Sequence, residues 1–143
     1  KFPSLPDSFN GFRFVQISDL HTGSFMSTDH LQKAVELVME QKPDAIFAIS
    51  DRMGIGASLA IKKKGLSMPD DIALVSFNNE PIVSLVTPGI SSVEMPSFEM
   101  GKAAAKLFIE TMHHPEDMSG VERIFKPKLF IRESSQKSLV KKL

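Results

Sequence analysis

Asp19 and His21 stand two residues apart, just beyond the apolar run Phe12 to Ser18. They are the first side chains in the chain able to do chemistry, because carboxylate and imidazole together suit manganese or zinc. Asp51 follows a second apolar run, Ala45 to Ile49, and Asn78 and Asn79 follow a third, Ile72 to Phe77. If these runs are strands of one parallel sheet, their carboxyl ends bring Asp19, His21, Asp51 and Asn78 toward one another. Two helix N-termini arrive at the same place, and those suit anions. The expectation is a vestigial, weak site for a divalent metal or an anion on these four residues. It is weak because no second shell that would hold the ligands is legible. Simpler accounts stand beside it. Asp51 can cap a helix. His30 falls in the first turn of a helix, and His113 with His114 reads as a solvated helix end far from Asp19.

The elements that must position these residues follow from pattern. Residues 1–11 hold two prolines and no period, so they read as an arm. Ser27 can cap a helix in which Leu31, Ala34, Val35 and Val38 recur at helical spacing, ending before Pro43. Ala45 to Ile49 is wholly apolar, as a strand covered on both faces should be. A helix starts at Asp51 with Ile55, Leu59 and Ala60 turned inward. It carries Lys62, Lys63 and Lys64 near its end, where positive charge suits the dipole, and Gly65 as a left-handed stop. Ile72 to Phe77 is a third strand, Pro81 to Val86 a short helix, and Ile90 to Val93 a fourth strand. Ser97 opens a long helix with Phe98, Ala104, Leu107, Phe108 and Met112 as its buried stripe. Arg123 to Arg132 reads as an extended edge, where Pro127 is tolerated. Strand and helix alternate with short connections, which predicts a parallel sheet with helices on both faces.

Composition narrows the classes. The 143 residues suffice for one domain with a core. Lys plus Arg and Asp plus Glu both number 17, which argues against a dedicated nucleic-acid surface. The absence of cysteine excludes disulfides, thiolate catalysis and cysteine-ligated zinc, and fits a cytoplasmic protein. No run of about 18 apolar residues is present, so no membrane partner is expected.

Two resemblances add to this reading. FVQISDLHTGSF, residues 14–25, resembles the first motif of calcineurin-like metallophosphoesterases, and the likeness runs over residues 12–48. There the resemblance makes Asp19 and His21 metal ligands. The family's second motif matches at Asp51 but has Ser50 in place of its glycine. Its third matches at Asn78 or Asn79 with no histidine after either, and the later histidine motifs are absent. From about Asp44 the chain is similar to the C-terminal part of lactose-repressor-type regulators, whose effector domain is periplasmic-binding-protein-like. PDAIFAISDRMGIGASLAIKKKGLSMPDDIALVSFNNEPIVSLVTPGISSVEMPSFEMGKAAAKLF and the closing KPKLFIRESS carry that likeness over residues 44–135. It implies that Asp51, Arg52 and Asn78 face an effector in a cleft between two lobes, and that the domain dimerises. With no opposite lobe and no helix-turn-helix in this stretch, it argues against effector and operator binding.

These observations predict a single α/β domain over residues 1–143. It divides into a phosphoesterase-like segment 1–48, a regulator-like segment 49–135 and a tail 136–143. The fold is a three-layer sandwich with a mostly parallel, flavodoxin-like sheet of about five strands in the order 2-1-3-4-5. The leading functional expectation is a recombined or engineered scaffold without catalysis or cofactor. A residual metal or anion site, at most weak for manganese or zinc, is the alternative, and a remnant small-molecule effector-binding module is a further one. The expected partners are a second copy of the chain at most, with no nucleic acid, no membrane and no assured small-molecule ligand.

Overall fold

An interior strand of the sheet is AIFA, which follows Pro43 and Asp44 directly. Its residues are small or apolar throughout, and Ala45 and Ala48 are buried. In the computed structural model, which describes residues 5–17, 33, 36–113 and 120–136, this strand is β2 (Ala45–Ala48). It pairs in parallel with β1 (Phe14–Ile17) on one side and β3 (Ala73–Phe77) on the other. β4 (Ser91–Glu94) runs parallel to β3, and β5 (Lys128–Phe130) closes the sheet antiparallel to β4. α1 (Asp51–Lys63) joins β2 to β3, α2 (Ile82–Leu85) joins β3 to β4, and α3 (Ser97–His113) follows β4. Residues 36–40 are helical and precede β2. The α/β class and the five-stranded, mostly parallel sheet are as the alternation of runs predicts.

The strand order is β1-β2-β3-β4-β5 and not the expected 2-1-3-4-5. The reason lies in composition. FVQI carries Gln16 and leaves Phe14 58% exposed, which an edge position tolerates, whereas AIFA has no polar side chain to give to solvent. The order has a consequence for the layers. When four parallel strands follow one another in one direction, right-handed crossovers place their connections on the same face. Leu74 of β3, Val83 of α2 and Ile90 form the fully buried core there, with Ile46, Ile55, Ala57, Met68 and Val86 packed around them. The opposite face carries a row of rings, Phe14 to Phe47 at 6.3 Å and Phe47 to Phe77 at 6.5 Å between centroids.

Two expectations about helix faces are corrected. α1 turns Asp51, Gly54, Ser58 and Ile61 into the protein, while Leu59 is 62% exposed and Ala60 is exposed too. The buried stripe is small because the helix lies close to β3. A Cβ on Gly54 would stand 2.9 Å from Ser76 Cβ. α3 buries none of its residues. Phe98 and Phe108 are 79% and 67% exposed, Ala104 and Met112 are exposed, and only Leu107 of the expected stripe is half-covered. Gly65 does end α1 as expected, with φ of +73° just past the cap at Lys64.

Candidate functional site

Ser50, not Asp51, caps α1. Its hydroxyl accepts from the Met53 N–H at 3.3 Å, while its own backbone is still extended. That frees the Asp51 side chain, one position on, to turn into the sheet. Asp51 is completely buried. Its Oδ1 accepts from Ser76 Oγ of β3 at 2.5 Å and from Ser92 Oγ of β4 at 2.9 Å. Its Oδ2 accepts from the Glu80 N–H at 2.6 Å. Burying a carboxylate is costly unless hydrogen bonds replace its hydration, and three donors do so here. The close approach of Gly54 to Ser76 brings the start of α1 down onto β3.

The segment after β3 is shaped by the same group. Asn78 and Asn79 have φ of +100° and +56°, a region that asparagine tolerates better than most residues. Three successive N–H groups are captured. Asn78 donates to the Val93 carbonyl at 2.8 Å, Asn79 to Ser92 Oγ at 3.0 Å, and Glu80 to Asp51. The Asn79 amide side chain accepts from Arg132 Nη2 at 2.7 Å and donates to Glu94 Oε1 at 3.4 Å. The other Arg132 nitrogen, Nη1, donates to the Ile90 carbonyl at 2.7 Å. One polar network thus links the start of α1, β3, the segment after it, β4 and the residue two beyond β5. Arg52 and Asn78 are exposed beside it, and Glu94 is half-buried.

Of the residues expected to form a site, Asp51 and Asn78 do lie together at the carboxyl ends of β2 and β3. Asp19, His21, His30 and His114 lie outside the described residues, and His113 is exposed at the last position of α3. The expected crevice between the first and third strands is not formed, because β2 stands between them. At the usual strand spacing this separates β1 from β3 by about 10 Å. Ser76, Ser92, Glu94 and Arg132 were not anticipated. No signal in the sequence marks them, because a serine in a strand, as in LVSF or SSVE, is uninformative until a partner across the sheet is placed.

A separate cavity of about 550 Å³ opens at the other end of the sheet. Met39, Ile46, Ala57, Ile61, Leu66 and Ile72 contribute to its largely apolar wall. It lies at the amino ends of β2 and β3, away from Asp51.

Comparison with known proteins agrees with the sheet and revises the origin. A model of the periplasmic binding protein-like domain matches residues 13–135. The lactose operon repressor of Rhizobium radiobacter is 40% identical over 86 residues, covering 60% of this chain and 76% of that protein. The ribose operon repressor of Halalkalibacterium halodurans is 28% identical over 137 residues, covering 91% of this chain and 41% of its own length. Among solved structures, a LacI-type transcriptional regulator from Bacillus cereus subsp. cytotoxis superposes with a TM-score of 0.63 at 33% identity. The match covers 78% of this chain and 40% of that one. The chain therefore spans about two fifths of the length of these last two. The expectation of a scaffold recombined from two families is overturned. One family model runs unbroken across residues 44–48, where the two likenesses overlap, and the ribose operon repressor aligns on both sides of that stretch.

Proposed function

We propose that this chain, which belongs to the periplasmic binding protein-like domain family, supplies one wall of the small-molecule effector site of a LacI-type transcription regulator. The observation that carries the reading is the pairing of that family match with the site it covers. At the carboxyl ends of β2 and β3, a buried and fully bonded Asp51 underlies an exposed guanidinium, Arg52, and an exposed amide, Asn78. Ligands of open parallel sheets bind beyond these strand ends. An exposed amide and guanidinium at this edge suit a polyhydroxylated ligand, which offers both donors and acceptors. Two of the relatives are repressors of a lactose and a ribose operon, so pentoses, hexoses and disaccharides are the first ligands to try.

On this reading the chain's role is binding without turnover. DNA contact belongs to other parts of the full-length relatives, and self-association accompanies the regulator role. A single wall provides part of the contacts of a closed cleft, so the Kd is expected to be roughly millimolar, about 4 kcal/mol of binding free energy. Thermal unfolding in the presence of a sugar panel tests this. A sugar at ten times its Kd adds about 1.4 kcal/mol of stability, read as a rise in Tm of a few degrees. A panel in which no sugar raises the Tm would contradict the reading.

A further inference from the structure

We infer that Asp51 is a positioning residue: from inside the protein it holds the backbone of residues 78–80, and through it presents Asn78 to a ligand that Asp51 itself does not touch. The inference rests on the effector-site reading for the identity of the ligand, but its geometry stands apart from it.

Asp51 has no solvent-exposed surface, and both of its oxygens are engaged. An ionised carboxylate only accepts, so the single hydroxyl proton of Ser92 is committed to Asp51. That leaves Ser92 Oγ lone pairs for the Asn79 N–H, at 3.0 Å. Asp51 therefore fixes the segment twice, directly through the Glu80 N–H and indirectly through Ser92 and Asn79. The segment needs such fixing. Two consecutive non-glycine residues with positive φ are costly and persist only where the surroundings over-determine them. Arg132 and Glu94 hold the Asn79 side chain and complete the clamp. Ser76 bonds Asp51 from the β3 side without touching the segment, so it separates loss of packing from loss of positioning.

The test is amide hydrogen exchange by NMR on the whole chain, with and without ribose. Asp51→Asn keeps the shape, but its Nδ2 donates, which leaves the Glu80 N–H facing a donor or costs a serine bond. Exchange at Glu80 is expected to quicken by about 10- to 100-fold, as for loss of a charge-assisted bond. Ser92→Ala should do the same at Asn79. Ser76→Ala should leave both amides within about threefold of wild type, and the amides of β2 and β3 report that the fold persists. If Asp51→Asn does not fold, Ser92→Ala decides alone through Asn79. Unchanged exchange at Asn79 and Glu80 in the folded variants would overturn the inference. So would quickened exchange with unaltered ribose affinity, since the segment would then not serve the ligand. Wild-type protein that binds neither ribose nor any other sugar would count against the effector reading and leave the exchange result to stand.

Discussion

α1 and α3 are helices of 13 and 17 residues that segregate apolar from polar side chains to a similar degree, yet they behave oppositely. α1 lies close on the sheet through Asp51, Gly54, Ser58 and Ile61, a stripe in which only one residue is large and apolar. α3 carries Phe98, Phe108, Ile109 and Met112, and all four are exposed. Bulky apolar residues at helical spacing therefore do not identify the helix that packs in this chain. The helix that packs is the one whose small residues let its backbone approach β3 and whose polar residues find partners in the strands. Apolar area stabilises only when it leaves water, and the described chain provides that for α1 and not for α3.

The contrast is open to mutation. The largest effect is expected beneath α1. Leu74→Ala empties the fully buried centre of the core and should lower stability by roughly 3 kcal/mol in urea denaturation. Asp51→Ala removes the acceptor for two buried hydroxyls and one N–H, and should cost roughly 2 to 3 kcal/mol by the same measurement. Gly54→Ala sets steric conflict with Ser76 against better helix propensity. A Cβ contact of 2.9 Å makes the conflict prevail, for a net loss of about 1 kcal/mol. Gly56→Ala is its counterpart, since nothing lies within 4 Å of the added Cβ and stability should rise by up to about 1 kcal/mol. The smallest effects belong to α3, where Phe108→Ser and Met112→Ser should each stay within about 0.5 kcal/mol of wild type. A loss of several kcal/mol at Phe108 would break the comparison, because it would mean that α3 is packed after all.

The elements were legible in the sequence because punctuation was strong. Pro43, Gly65 and the positions after Phe77 and Gly89 bound the runs that became β2, α1, β3 and β4. The strand order was not legible. Right-handed crossovers permit either order, and only the exposure of Phe14 beside the closed composition of AIFA distinguishes edge from centre. Asp51 and Asn78 were identifiable as residues at strand ends, but their roles were not. A carboxylate that caps a helix and one that turns beneath it share the same local pattern, and the choice was made by Ser50 taking the cap. Ser76 and Ser92 were hidden for a related reason. Serine in a strand signals nothing until a buried acceptor across the sheet gives its hydroxyl a partner.

The central claim is that the ligand-facing end of this domain is the carboxyl end of its sheet, where Asp51 organises the surface, and not the apolar cavity at the opposite end. Backbone and side-chain NMR shifts recorded through a titration with the sugar that most raises the Tm would test it most directly. The account predicts shifts concentrated at Arg52, Asn78, Glu80 and Glu94, with the residues around the cavity unmoved. Shifts confined to Met39, Ile61, Leu66 and Ile72 would contradict it.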